Sequence, residues 1–136
     1  MGKRAAGILP IAPTGRILWN QRSYNASHPN TWALWGGGAE EDESPIDTAV
    51  REFREESSYR GHIRLYPLHT HCITGVLYHA FAGFVENEFD PEIDHESNGY
   101  IWLELPKIFK IFKDVHPGTQ ELLHDVYPEL KAFCYQ

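Results

Sequence analysis

Between Gly37 and Tyr59 the chain gathers four carboxylates around one arginine: Glu43, Glu52, Glu55 and Glu56, with Arg51 among them. Ser44 is a good N-cap and Pro45 suits the first helical position, so the spacing predicts a helix over residues 45–57. At about 100° per residue, Ile46, Ala49, Val50 and Phe53 form its apolar arc, with Glu52, Glu55 and Glu56 on the rim. Carboxylates at i, i+3 and i+4 repel and raise one another's pKa unless a cation sits among them. A hard divalent ion with oxygen ligands, Mg²⁺ or alternatively Mn²⁺, resolves that repulsion. Arg51, four residues before Glu55, is placed to hold it in one rotamer. A solvated acidic face is the ordinary fate of a Glu-rich helix. Here a Gly36-Gly37-Gly38 turn stands before the helix and Glu43 sits at its mouth, which favours a metal site.

Written as spacing, the segment is Gly37-x5-Glu43-x7-Arg51-Glu52-Phe53-x-Glu55-Glu56-x-Ser58-Tyr59. It resembles the box of the Nudix (MutT-like) hydrolases, G-x5-E-x7-R-E-U-x-E-E-x-G-U with U aliphatic. Ser58 replaces the family's glycine, and Tyr59 its aliphatic residue. The resemblance implies an α+β Nudix fold, a mixed β-sheet sandwiched between α-helices with the box as a loop-helix-loop. It implies metal ligation by the Gly37 carbonyl and by Glu52, Glu55 and Glu56, with Arg51 and Glu43 supporting them. A later run, His95-Glu96 followed by Tyr100-x-Trp102, resembles a segment of the dinucleoside-polyphosphate hydrolases in the family. By that likeness Glu96 is the general base or a further metal ligand. Trp35 stands where relatives have proline and is either an aromatic wall of the site or core. Trp32 and Tyr100 (and Tyr78) are candidates for stacking on a base. The implied reaction is Mg²⁺-dependent hydrolysis of a phosphoanhydride in a nucleoside diphosphate linked to another group. A (deoxy)nucleoside triphosphate leads, and a dinucleoside polyphosphate is the alternative. A non-catalytic Nudix-fold binding or sensing module is the reading from another class. Such modules usually lose box carboxylates, and this chain keeps all of them.

Length and composition set the frame. At 136 residues the chain reads as one domain, residues 1–136, with enough sequence for a sizeable core. A net charge of −7 argues against a duplex-binding surface and leaves a nucleotide-type small molecule as partner. A homodimer stays open as an assembly. Two cysteines, Cys72 and Cys134, give no disulfide framework, which suits a reducing, cytoplasmic setting. Pro10 and Pro13 interrupt the apolar run behind Met1-Gly2-Lys3-Arg4, so no signal peptide is expected. No stretch reaches the ~20 apolar residues of a membrane span.

The elements that position these groups follow from pattern. Strands are expected over residues 5–11, 16–21 and 32–35, the last running into the glycines. Two more are expected over residues 62–68 and 72–85, then an acidic loop over residues 86–96 and a strand over residues 100–105. The rest reads as helical from Pro106 and again from Pro117-Gly118, with a break at Pro128. His69 and His71 would share one strand face. No second pair at zinc spacing follows, so they read as structural or surface histidines.

Overall fold

The structure, a computed structural model, describes residues 3–135. Met1, Gly2 and Gln136, the ends of the expected domain and of the leader reading, lie outside the described residues. In chain order the strands are β1 (Lys3–Ile11), β2 (Ile17–Arg22), β3 (Trp32–Ala33), β4 (Trp35–Gly38), β5 (Ile63–Ile73), β6 (Val76–Val85) and β7 (Ser97–Leu103). The helices are α1 (Pro45–Ser57), α2 (Leu105–Ile108) and α3 (Pro117–Cys134), with a 3₁₀ segment Phe109–Asp114 between the last two. They build a mixed sheet in the order β3-β2-β1-β6-β5, with β4 on β1 and β7 on β2. β1 runs parallel to β6 from Lys3 opposite Val76 to Ile11 opposite Phe84.

Alternation along β1 divides the apolar residues between the two faces. Ala6 and Ile8 join Leu18, Trp35, Ala49, Phe53 and Phe81 under α1. Leu9 and Ile11 join Trp19, Leu122, Leu123 and Leu130 under α3. The sheet therefore lies between helices, as the family resemblance implies.

Several elements differ from the sequence expectation. The glycines are not a turn. They belong to β4 and pair antiparallel with β1, Gly36 opposite Gly7, Gly37 opposite Ala6 and Gly38 opposite Ala5. Gly36 and Gly37 serve by close approach rather than by positive φ, which Gly15 and Gly75 adopt instead. The hairpin between β5 and β6 turns at Thr74-Gly75, both with φ > 0, so the expected break at residues 69–71 is absent. Ile46 is exposed although placed on the apolar arc, because the buried arc of α1 is centred on Thr48, Ala49, Phe53 and Glu56. Pro128 does bend α3, but the non-helical residue is Val126, two residues earlier.

α1 starts as predicted, with Asp47 N–H donating to Ser44 Oγ at 3.1 Å and Pro45 at the first position. It ends at Ser58 in the left-handed conformation, φ 63 and ψ 15. Tyr59 then takes the buried place of an aliphatic residue, packing on Phe53 and Phe89 and donating its hydroxyl to His62 O at 2.6 Å. Ser58→Gly is expected to stabilise the protein by about 0.5 kcal/mol, because glycine adopts this φ without strain. The gain is held down by loss of the exposed bond from Ser58 Oγ to Glu92 O and by added unfolded-state freedom. A lower melting temperature for that variant contradicts this account.

Candidate active site

Helical spacing carries Glu52 and Glu56 onto one face of α1, and the loop before β7 brings Glu96 to them. One carboxylate oxygen from each lies within 4.8 Å of the other two. The loop is tied down along its length. Thr14 and Arg16 hold Glu88, Trp102 Nε1 donates to Phe89 O at 2.8 Å, and Asp94 Oδ1 accepts from Glu96 N at 2.9 Å. Glu56 is only 5% exposed, and its Oε1 has no hydrogen-bond partner. Burial, then the charges of Glu52 and Glu96, pushes its carboxyl up to about 9. Burial also raises Glu52, against the opposing pull of Arg51.

Arg51 anchors the mouth of the site. Its Nε and Nη2 donate to the two oxygens of Glu43 at 2.8 and 3.0 Å, and Nη2 also reaches the Gly38 carbonyl at 3.0 Å. Nη1 donates to Glu52 at 3.0 Å. Its bond to Glu55 is longer, 3.3 Å, so the expected clamp on Glu55 is a minor part of what Arg51 does. Glu55 stands exposed at the rim, outside the close group of three.

The Arg51 guanidinium, with help from Glu40 N–H and Thr48, holds the Glu43 carboxyl down to about 2. A carboxyl so depressed does not serve as a base near neutrality. It contributes stability above about 4.5, and that contribution fades as pH falls toward 2. Glu43→Gln is therefore expected to flatten the acid limb of the stability curve in that window. An unchanged limb would show that the pair adds nothing.

Two observations fit these residues to a hard divalent cation. One is the orphaned, buried Glu56 oxygen in an all-carboxylate donor set. The other is Gly37, where a Cβ would sit 2.7 Å from the Glu52 carboxyl carbon, so only glycine lets backbone lie against the carboxylates. Gly37 also lines a cleft of about 450 Å³ on the α3 side of the sheet. Its walls combine apolar Leu34, Val76 and Leu122 with Tyr78, Arg22 and His71. Burial, then the Glu56 charge, raises the Tyr78 phenol. His116 caps α3, its Nδ1 accepting from Gly118 N–H at 3.0 Å, and burial with nearby Arg22 and His28 lowers it to about 4.

A NUDIX domain family model matches residues 1–126. The chain belongs to the Nudix family. A CTP pyrophosphohydrolase of Escherichia coli is 30% identical over 93 residues, 68% of this chain and 69% of that protein. Among solved structures, a C. elegans Ap4A hydrolase superposes with TM-score 0.74 at 21% identity, covering 96% of this chain and 98% of that one. The MutT protein of Methanosarcina mazei gives TM-score 0.74 at 21% identity over 93% and 94% of the two chains. The fold is thus the Nudix fold, and the chain is an enzyme of the Nudix pyrophosphohydrolase class.

Within this Nudix domain the expected substrate aromatics divide, Tyr78 lining the cleft and the others lying elsewhere. Trp35 is fully buried, stacks edge-on against Phe53 and donates Nε1 to Leu18 O at 3.1 Å, so it is core and not a wall of the site. Trp32 packs half-buried on the α3-side core, and Tyr100 packs on the α1 side with its hydroxyl toward Asp90 at 3.4 Å. Neither lines the cleft. The cleft residues Arg22, His28, His71 and His116 are not legible as a site in the sequence. The one available signal is the shared strand face of His69 and His71. Among the described residues, no helix is long and apolar enough to cross a membrane.

Proposed function

We propose that this enzyme hydrolyses a phosphoanhydride bond of a (deoxy)nucleoside triphosphate, releasing the nucleoside monophosphate and pyrophosphate. The observation that carries the reading is the carboxylate group of Glu52, Glu56 and Glu96 adjoining a nucleoside-sized cleft through Gly37. Similarity to a CTP pyrophosphohydrolase supports the triphosphate over other nucleotides.

Mg²⁺ is the cation that suits these ligands, with Mn²⁺ as substitute, and it would be held by Glu52, Glu56 and the Gly37 carbonyl, with Glu55 outermost. When bound it supplies Lewis-acid neutralisation of the phosphate charge. Glu96, exposed at the rim, takes the proton of the attacking water. Arg51 holds Glu43 and Glu52 so that the donor set keeps its shape. The apolar and aromatic cleft walls seat the nucleoside and fix the reach of its phosphates. Free Cys72 and Cys134 suit a cytoplasmic setting.

A second reading, a dinucleoside polyphosphate, is supported by the His95-Glu96 and Tyr100-x-Trp102 run and by the likeness of the fold to an Ap4A hydrolase. Purified protein with Mg²⁺ is to be assayed against nucleoside triphosphates, dinucleoside polyphosphates and nucleotide sugars, with products resolved by chromatography. Monophosphate plus pyrophosphate from a triphosphate is the expected result. Cleavage confined to dinucleoside polyphosphates selects the second reading, and no cleavage of any of them removes both.

A further inference from the structure

On the reading of the cleft as the nucleoside site, we propose that His71 presents a fixed hydrogen-bond acceptor to the base. His69 and Asp125 set its tautomer, and the acceptor selects bases with an amino group at pyrimidine C4 or purine C6, cytosine or adenine, over uracil and hypoxanthine, which have a keto oxygen there.

The arrangement begins with an irregularity in β5. Tyr66 pairs with Ala82 and His69 with Ala80, so three steps along β5 match two along β6. Leu68 is the extra residue. Ala80 and Ala82 both belong to the core under α3, where Leu68 also packs, so the bulge turns His69 and His71, rather than Thr70, toward that helix. There α3 supplies Asp125, whose Oδ2 lies 3.2 Å from His69 Nε2. The other nitrogen of His69, Nδ1, lies 2.9 Å from His71 Nδ1.

Proton placement follows from donor and acceptor capacity. A carboxylate only accepts, so His69 Nε2 carries a hydrogen. A neutral His69 therefore has a bare Nδ1, and the contact between the two Nδ1 atoms needs a hydrogen from His71. With its single hydrogen on Nδ1, neutral His71 has a bare Nε2. That nitrogen has no hydrogen-bond partner among the described residues, and the ring lines the cleft beside Tyr78, with ring centroids 5.9 Å apart. Burial keeps His71 from gaining a second proton, with the neighbouring His69 acting in the same direction. The other ionisable groups around the pair are Glu121 and His124 on α3 and Tyr78 on β6. Protonation of His69 would reverse the sense. Both its nitrogens would then donate, and His71 would offer N–H to the cleft.

A bare imidazole nitrogen in a partly apolar cleft pairs with the amino group of cytosine or adenine. Against the keto oxygen that replaces it in uracil or hypoxanthine it leaves two acceptors facing each other, which costs a hydrogen bond and the desolvation of both. Asp125 and His69 are thus positioning residues, and His71 is the group that meets the base.

The tautomer is measurable without turnover. Two-bond ¹⁵N–¹H correlation of histidine-labelled protein at pH 8 is expected to show His71 as the Nδ1–H form. Asp125→Asn keeps an acceptor for His69 and should preserve that pattern, whereas Asp125→Ala should lose it. Cytidine added to the same sample should shift the bare Nε2 resonance, and uridine should not. In turnover, Asp125→Ala is expected to lower the ratio of kcat/KM for CTP to that for UTP about fivefold to tenfold, through KM, with Asp125→Asn near wild type. An Nε2–H pattern for His71, equal shifts with the two nucleosides, or an unchanged ratio overturns the proposal. If no nucleotide is hydrolysed, the proposed reaction falls instead, and the tautomer and the nucleoside titration decide this inference by themselves.

Discussion

Glu56→Gln is expected to lower kcat at least about 100-fold while leaving the fold intact, because it removes charge at the developing transition state and keeps the side-chain shape. The same variant carries a stability signature of opposite sign. In the folded protein without bound metal the Glu56 carboxyl is held at about 9, against an ordinary value of 4.5. Below 4.5 both folded and unfolded chains keep that proton, and the group costs nothing. Between 4.5 and 9 the unfolded chain releases it and the folded chain does not, so stability falls as pH rises through the window. It levels off above 9. Glutamine has no proton to release. In a chelator, Glu56→Gln should therefore match the wild type near pH 4.5 and melt progressively higher than it toward pH 9. Adding Mg²⁺ should restore the wild type selectively, because a cation that binds only the folded, ionised set stabilises that state. Retained turnover in the variant would remove the catalytic reading. Parallel melting curves across the pH window would remove the burial account of Glu56.

What the sequence reveals and what it conceals follow the range of the interactions concerned. Glu52 and Glu56 are one helical turn apart, so their meeting is decided by spacing alone, and the Ser44-Pro45 start of α1 is equally local. Glu96 lies far along the chain and joins them only through the sheet. It was reachable by family likeness and not by periodicity. The cleft is harder still. Arg22, His71, Tyr78 and His116 come from β2, β5, β6 and the start of α3, and only the parallel pairing of β1 with β6 and the packing of α3 bring them together. His69 and His71 read as structural or surface histidines because alternation fixes that they share a face, not which face. The extra residue at Leu68 decides that, and Pro67 beside it is the one mark the bulge leaves in the sequence. Trp35 is ambiguous for a similar reason. An aromatic beside a glycine run reads as wall or core, and its pairing opposite Ile8 sends it inward.

The three consecutive glycines are expected to respond to alanine in three different ways, and the pattern separates a structural role from a catalytic one. At Gly36 an added Cβ would meet the Ala6 carbonyl oxygen at 2.3 Å and Gly7 Cα at 2.6 Å. Both are backbone of a central strand and cannot yield, so Gly36→Ala should destabilise by about 3 kcal/mol or fail to fold. At Gly38 nothing lies within 4 Å, and alanine should change neither melting temperature nor rate beyond a small margin. Gly37 is the informative position. Its Cβ would press on the Glu52 carboxylate, the free end of a flexible side chain that is able to swing aside. The swing leaves stability nearly intact but pulls an oxygen ligand away from Glu56 and Glu96 and loosens its bond to Arg51. A displacement of about 1 Å in a reacting group costs on the order of 100-fold. Gly37→Ala should therefore melt like the wild type, lose about 100-fold in kcat, and bind Mn²⁺ more weakly by titration. Equal activity in Gly37→Ala and Gly38→Ala would mean that the glycine backbone does not adjoin the reacting phosphates, and would move the chemistry away from this face of α1.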